Sequence, residues 1–198
     1  MFYGGRRALV RARGQSHEAF YHETGKMIDF ESTLRDGRVV QIREMRKTDE
    51  AEFVQAFGRM SEDARYMRFM RFVREPDVGR LRHVLASFPE GGTGIVATVP
   101  AADGFDIVGS AVYILGSDRT TCEFATSVAF EFSGVGLAST LMTSLIDAAK
   151  ARGVAEMHGY VLAVNQPMLR LARRLGFSIA PDPEDGAVRL CRLHLTGG

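Results

Sequence analysis

The spacing of apolar residues changes along this chain of 198 residues and separates an opening stretch from one long patterned region. Up to Phe30 no helical or strand period is sustained, which predicts a flexible or loosely docked extension at residues 1–30. A basic docking arm is the functional alternative for this extension. The periodic segments from residue 31 to residue 198 predict a single domain.

The first part of the domain predicts one strand and three helices. Gly37 precedes a short predicted strand, VVQIR, at residues 39–43. Thr48 is the predicted N-cap of the first helix, with Asp49 near the positive end of its dipole, and Ser61 is predicted to cap the second helix. A third helix is predicted at residues 78–86.

The centre of the chain switches to strand periods with tight connections. Strands are predicted at residues 94–99, 107–115 and 121–130. Pro100 is expected to end the first of them, and residues 101–104 form a turn. These short connections predict an antiparallel meander.

The last part of the chain alternates between helices and strands. Residues 136–152 carry an apolar helical stripe. Strands at residues 157–164 and 188–195 lie on either side of a short helix at residues 167–175, which Gly176 ends. The order predicts an α+β (mixed α/β) fold, in which helices flank a mostly antiparallel, splayed sheet with one parallel crossover.

Composition narrows the classes of function. The 25 Lys and Arg residues nearly balance the 24 Asp and Glu residues, and the net charge of +1 favours neither nucleic-acid binding nor a membrane surface. No apolar run reaches the roughly 18–20 residues that span a bilayer. Two distant cysteines, and histidines without ligand spacing, predict no disulfide framework, no metal site and a cytoplasmic location. The excess of arginine over lysine indicates GC-rich coding and a bacterial source.

The most informative stretch joins a strand to a helix through Gly134 and Gly136. A helix N-terminus exposes unpaired N–H groups, and glycines let the backbone approach a bulky anion, so this turn predicts a pyrophosphate site. The alternative is a turn whose small residues serve packing. A dinucleotide-binding βαβ turn fits poorly, because antiparallel strands precede the turn and no carboxylate ends the next strand. The absence of Gly-Lys-Ser/Thr excludes a P-loop.

Several segments together resemble the GNAT N-acetyltransferase superfamily. The run SGVGLA at residues 133–138 resembles its coenzyme A signature Q/R-x-x-G-x-G/A, and EFATSV matches the preceding strand. NQPMLRLARRLGF at residues 165–177 is similar to the family segment N-x-x-M-x-x-L-x-x-x-x-GF. VVQIREMRKTDEAEFVQAF resembles the opening strand and helix, and SEDARYMRFM resembles a segment of bacterial Pat-type protein-lysine acetyltransferases. The resemblance covers roughly residues 34–195 and implies the GNAT fold, with acetyl-CoA as the acyl donor.

The resemblance also implies a set of residues that bind acyl-coenzyme A. Backbone N–H groups of residues 134–138 would hold the pyrophosphate, and Thr126 and Val128 would offer strand backbone to the pantetheine arm. Asn165 would contact the cofactor, although a helix N-cap is an equally natural role for it. The predicted set is Thr126, Val128, Ser133, Gly134, Val135, Gly136, Leu137, Ala138, Ser139 and Asn165.

Glu123 is the candidate catalytic residue. An attacking amine must be neutral, whereas a lysine side chain, with a reference pKa of about 10.4, is protonated near pH 7, so a carboxylate must accept a proton. Ala125 and Ser127 lie on the same strand face and leave room for a substrate. The position matches the glutamate of Pat-like enzymes, and partial burial there would suit a general base. The alternative is a strand glutamate at an exposed edge.

Three positions depart from the family pattern. Ser133 replaces Gln or Arg, and Val135 replaces a residue that is often basic, so side-chain contacts to the phosphates are lost while the backbone site remains. Ala172 replaces the tyrosine that often protonates the leaving thiolate. A water is the expected substitute, and Tyr160 is a more distant one.

Two further features have both a functional and a structural interpretation. Residues 65–74 alternate basic and aromatic side chains, which fits an acidic partner or the 3′-phosphate of coenzyme A. The pattern fits better with a helix whose basic side chains face solvent while Tyr66, Phe69 and Met70 turn inward. Cys122, beside the candidate base, suggests a nucleophile, but ordinary burial is the better interpretation because no histidine is positioned to activate it.

The sequence therefore predicts an N-acetyltransferase that moves an acetyl group from acetyl-CoA to a primary amine. The resemblance implies a protein lysine as acceptor. The alternatives are a small amine, a non-catalytic acyl-CoA sensor, which Ser133 and Ala172 would support, and a purely structural domain. We expect a monomer or homodimer without nucleic-acid or membrane partners.

Overall fold

The structure is a computed structural model, and it describes residues 28–195. In this part of the chain eight strands form one sheet in the order β1-β2-β3-β4-β5-β6-β8-β7. The strands are β1 (Asp29–Thr33), β2 (Val39–Glu44), β3 (Gly92–Ala101), β4 (Gly104–Leu115), β5 (Thr121–Val128), β6 (Glu156–Leu162), β7 (Ser178–Pro181) and β8 (Val188–His194). The helices are α1 (Glu50–Arg59), α2 (Glu62–Phe69), α3 (Val78–Ser87), α4 (Leu137–Ala151) and α5 (Gln166–Arg174).

Within residues 28–195 every strand pair is antiparallel except β5 and β6. Helix α4 joins these two strands, because a parallel pair requires a long crossover. The predicted α+β class, with its mostly antiparallel sheet and single parallel crossover, is confirmed. No helix in the described part of the chain is long and apolar enough to cross a bilayer. Residues 1–27 of the predicted extension lie outside the described residues, so the domain boundary stays a prediction.

The predicted helices are confirmed, and one predicted cap is wrong. Ser61 caps α2, since its Oγ accepts a hydrogen bond from the Ala64 N–H at 3.2 Å. Thr48 is not the cap of α1: it lies inside a short 3-10 turn, Lys47–Asp49, and Asp49 is the residue that precedes the helix. Asp49 is 1% exposed, because its carboxylate pairs with the buried guanidinium of Arg43.

The sequence pattern misses two strands and ends a third too early. β1 contains a single apolar residue, Phe30, and its buried side chain is that of Ser32, so it lacks the alternation of a core strand. β7 is four residues long and lies at the edge of the sheet, where Pro181 is tolerated. β3 continues through Pro100 to Ala101, because Pro100 is exposed beside the hairpin turn.

Helix α4 packs against one face of the sheet, over β3, β4 and β5. A Cβ at Gly109 of β4 would lie 2.9 Å from Leu141 and 3.2 Å from Leu137, so the glycine lets the helix approach closely. Because Gly109 pairs with Val128, the even-numbered residues of β5 face α4. Its odd-numbered residues face the opposite side, where α2 contacts this strand.

A buried ion pair ties β2 to the start of α1. Arg43 and Asp49 are 7% and 1% exposed, and hydrogen bonds of 2.8 and 2.9 Å join the guanidinium to both carboxylate oxygens. The carboxylate also accepts the Arg46 N–H at 2.8 Å. The guanidinium lies 4.9 Å from the centre of the Phe105 ring on β4. The pair therefore determines how the chain leaves the sheet to begin α1.

Both cysteines lie in the core at 0% exposure. Burial raises the pKa of the Cys122 thiol to about 12. Burial also raises the pKa of Cys191 to about 11, and the charge of Arg173 opposes that shift in part. Cys122 is even-numbered and faces α4, so the structure agrees with its interpretation as a core residue.

Replacing Asp49 by alanine should destabilise the protein by roughly 3–5 kcal/mol, because Arg43 would be left buried without its partner. Denaturant unfolding followed by circular dichroism measures the change in the free energy of unfolding. Glu50→Ala is the matched control, since Glu50 pairs with Arg82 at the surface and its loss should have little effect. Equal unfolding midpoints for Asp49→Ala and the wild type would contradict a structural role for the pair.

Both cysteines should resist alkylation in the folded protein, because the thiolate is the reactive form and burial disfavours it. We expect iodoacetamide at pH 8 to leave the native protein unmodified over a period in which the urea-unfolded chain acquires an adduct at each cysteine. Mass spectrometry counts the adducts. Rapid labelling of Cys122 in the native protein would instead revive its interpretation as a nucleophile.

Candidate active site

Strands β5 and β6 run side by side for a short distance and then separate. Their parallel register ends at the pair Glu123–His158. Beyond this pair β5 stays hydrogen-bonded to β4 as far as Val128, and β6 stays hydrogen-bonded to β8 as far as Leu162. The facing edges of the two strands therefore diverge, and an extended ligand can lie between them as an added strand would.

An aromatic ring fills the base of this split. A Cβ at Gly159 of β6 would lie 2.5 Å from the Phe124 ring, so a glycine is required where the ring sits. Phe124 also packs against Phe177, with 5.2 Å between ring centres and an angle of 63° between ring planes. Sequence reasoning missed Gly159, because a lone glycine in a strand is only a weak sign of close packing.

The glycine turn leads into α4, as predicted. Gly134 and Gly136 adopt φ angles of 77° and 102°, in the left-handed region that favours glycine. A Cβ at Gly134 would meet nothing within 4 Å, so the space beside the turn is open. Among residues 28–195 no side chain caps α4, and its first turn carries no acidic residue. The exposed N–H groups and the helix dipole therefore fit an anion such as a pyrophosphate.

The predicted binding residues fall into three neighbouring places. Thr126 and Asn165 line the cleft between β5 and β6. Asn165 also caps α5, since its Oδ1 accepts the Met168 N–H at 3.2 Å, which agrees with its alternative role. Val128 and Ser133 line a second hollow beside the α1–α2 junction, with about 920 Å³ of empty space that is open in part to solvent. The turn and the first residues of α4 hold the rest of the set: Gly134, Val135, Gly136, Leu137, Ala138 and Ser139.

Glu123 lies in the cleft, at the last residue pair before the strands separate. β4 and β5 pair without a bulge, so Ala125 and Ser127 share the face of Glu123, as predicted. The Glu123 side chain is exposed, so it does not have the partial burial that would suit a general base. The cleft holds about 480 Å³ of empty space, open in part to solvent, and its polar lining comprises Arg68, Glu123, Thr126, Tyr160 and Asn165.

A positive charge shares this cleft with Glu123. Arg68 of α2 is half-buried, and it has no ion pair or side-chain hydrogen bond to the described residues. Burial, and after it the charge of Arg80, lower the pKa of Arg68 from its ordinary value, whereas the nearby Glu123 carboxylate opposes the shift. Its guanidinium lies 5.2 Å from the centre of the Phe69 ring but makes no salt bridge, and such a group fits an anionic group of a ligand. The sequence pattern favoured a solvated face for residues 65–74, with an acidic partner or the 3′-phosphate of coenzyme A as the alternative, and did not single out Arg68.

The aromatic residues of α2 pack only in part as predicted. Phe69 is half-buried, with its ring centre 5.9 Å from that of Phe57. Tyr66 stacks at 5.0 Å against Phe72, which is 84% exposed. Met70 does not turn inward: it ends α2 in the left-handed conformation, is 39% exposed and lines the cleft.

Position 172, where many family members have a tyrosine, has no hydroxyl group in this chain. Ala172 lies in α5 at 0% exposure, inside the core. Tyr160 of β6 is 40% exposed and lines the cleft that also holds Glu123. In the part of the chain that the structure describes, no three His, Cys, Asp or Glu side chains form a group that could hold a metal ion.

Comparison with known proteins gives a family for this arrangement. A model of the acetyltransferase (GNAT) domain matches residues 40–178. Acetyltransferase PA5475 of Pseudomonas aeruginosa is 31% identical over 163 residues, which cover 82% of this chain and 88% of that protein.

Solved structures share the fold. The GNAT domain of S. lividans PAT superposes with a TM-score of 0.75 at 19% identity, covering 84% of this chain and 96% of that chain. The structure of yncA from Salmonella typhimurium with its cofactor acetyl-CoA gives a TM-score of 0.63 at 22% identity, covering 80% and 95% of the two chains. The split sheet, the glycine turn at α4 and the family match agree: the chain belongs to the GNAT acetyltransferase family.

Proposed function

We propose that the protein transfers an acetyl group from acetyl-CoA to a primary amine of a protein lysine, with Glu123 as general base. The observation that carries this proposal is the position of Glu123. Its exposed carboxylate lies at the pair where β5 and β6 separate, in the same cleft as Thr126 and Asn165. A base must lie beside the reacting carbonyl, and this split is where an extended acyl donor fits.

The chain offers a place for each part of the donor. The N–H groups of residues 134–138 would bind the pyrophosphate at the start of α4, where no acidic side chain of the first turn repels it. The backbone of Thr126 and Val128 would pair with the pantetheine arm, which places the thioester between the strands. Acetyl-CoA supplies the activated acyl group.

Glu123 would accept a proton from the amine, directly or through one water, as the nitrogen attacks the thioester carbonyl. The new C–N bond forms while the C–S bond breaks, and coenzyme A leaves as a thiolate. Thiols have pKa values near 8.5, so this leaving group needs little assistance. Because Ala172 offers no proton, a water or the Tyr160 hydroxyl in the cleft would protonate the sulfur.

The surface beside the cleft supports a protein acceptor. Met70, Phe72 and Tyr160 are 39%, 84% and 40% exposed, and Met70 and Tyr160 line the opening itself. Exposed apolar and aromatic side chains around an open cleft are typical of surfaces that contact another protein. Glu123 is exposed in the same cleft, so a lysine side chain that enters it has access to the carboxylate.

Arg68 favours a second candidate acceptor, a small amine that also carries a carboxylate, such as an amino acid. Its guanidinium shares the cleft with Glu123 and feels that carboxylate's charge, but it forms no salt bridge with any carboxylate among residues 28–195. A polyamine would be repelled by this charge, whereas a carboxylate would pair with it.

Replacing Glu123 by glutamine should reduce kcat by about 10²-fold or more and leave the affinity for acetyl-CoA nearly unchanged, because the amide cannot accept the proton. Titration calorimetry with acetyl-CoA and a coupled assay of released thiol measure the two quantities. Glu184→Gln, at an exposed position between β7 and β8, is the matched control and should keep full turnover. Binding without turnover in the wild type would support a sensor instead, and the absence of binding would contradict both functions.

Replacing Arg68 by glutamine separates the two acceptors. For a carboxylate-bearing amine we expect KM to rise about tenfold, because a charge-assisted hydrogen bond is lost, while the methyl ester of the same amine shows no change. For a lysine peptide without acidic residues, KM should stay the same. An equal effect of Arg68→Gln on the acid and its ester would rule out recognition of the carboxylate.

A further inference from the structure

The turn between β1 and β2 packs directly on the glycine turn that begins α4. The Arg35 N–H donates to the Val135 carbonyl at 3.0 Å. The Arg38 guanidinium donates to the Glu131 carbonyl at 2.6 Å and lies 3.9 Å from the centre of the Phe132 ring. These contacts hold the backbone of Arg35 in place beside the predicted pyrophosphate site.

The side chain of Arg35 extends along the start of α4. Its Nε lies 3.7 Å, and its Cγ 3.8 Å, from the position that a Cβ would occupy at Gly136. A guanidinium at this place adds a full positive charge to the partial charge of the helix N-terminus. The two positive charges repel each other unless an anion lies between them.

No carboxylate of this region neutralises Arg35. Asp36, the acidic residue of the β1–β2 turn, is paired with Arg38 through contacts of 2.6 and 2.7 Å, and this hydrogen bonding lowers the pKa of Asp36. The first turn of α4 has no acidic residue. Among residues 28–195, Arg35 has no ion pair or side-chain hydrogen bond, and it is exposed toward solvent.

We propose that Arg35 binds the pyrophosphate of acyl-coenzyme A and takes the place of the long polar side chain that Ser133 lacks. The proposal rests on the proposed function, since it requires the donor to lie on residues 134–138. Its consequence is that the β1–β2 hairpin forms one wall of the donor site. A guanidinium suits this role because its planar donors match two phosphate oxygens at once.

Titration calorimetry with coenzyme A tests the assignment in the full chain. Arg35→Gln should weaken binding about tenfold and reduce its dependence on ionic strength, because a charged hydrogen bond to phosphate is lost. Lys150→Gln is the matched control: it removes one exposed positive charge at the far end of α4, roughly 20 Å from the glycine turn, and should leave affinity unchanged.

3′-Dephospho-coenzyme A identifies the phosphate involved. If Arg35 contacts the pyrophosphate, the ratio of the wild-type affinity to the Arg35→Gln affinity is the same for 3′-dephospho-coenzyme A as for coenzyme A. A ratio that falls to one would assign Arg35 to the 3′-phosphate and overturn the proposal.

Restoring the family residue provides an independent test. Ser133 is exposed, and its Oγ approaches only the Ala129 carbonyl, at 3.5 Å, so an arginine fits there. Ser133→Arg should recover most of the affinity lost in Arg35→Gln. If the wild type binds coenzyme A and Arg35→Gln binds it equally well, the role of Arg35 is contradicted but the proposed function is not. If the wild type does not bind coenzyme A at all, the proposed function itself is contradicted.

Discussion

The separation of β5 from β6 is the feature on which the candidate site depends. The two strands are parallel neighbours only up to the pair Glu123–His158, and each then follows its antiparallel partner on the other side. Gly159 and Phe124 hold this geometry at its base, because the ring occupies the space that a side chain at 159 would need. If β5 and β6 stayed paired along their whole length, their backbone groups would hydrogen-bond to each other and leave no room for a ligand.

The split brings together residues that are far apart in the chain. Glu123 comes from β5, Tyr160 from β6, Asn165 from the start of α5 and Arg68 from α2. The buried pair of Arg43 and Asp49 contributes at a distance, because it sets where α1 begins and so how the α1–α2 segment returns over the sheet. A site on strand and helix ends is therefore supported by a core that takes no part in the chemistry.

Charge is distributed differently at the two ends of the site. At the start of α4 the helix dipole and the unpaired Arg35 create a positive region that suits a phosphate. In the cleft, Glu123 and Arg68 have opposite charges and are near enough to influence each other. Under the proposed function, the donor end would select an anion, and the acceptor end would hold an amine beside the charges of Glu123 and Arg68.

The local features of this protein were readable from its sequence. The glycine turn, the caps at Ser61 and Asn165 and the crossover helix each arise from residues within a few positions of one another, and the structure confirms them. β1 and β7 were not readable, because a strand with one apolar residue and an edge strand of four residues carry almost no periodic signal.

What only the tertiary structure decided is how distant segments meet. Arg68 and Glu123 are far apart in sequence and share one cleft, and Arg35 reaches the glycine turn because the β1–β2 hairpin packs on it. Sequence motifs pointed to a phosphate site and a base, since helix ends and strand faces follow local rules. They could not show that Arg35 and Arg68 lie beside these groups without a salt bridge, because the partners of a side chain depend on every segment that packs around it.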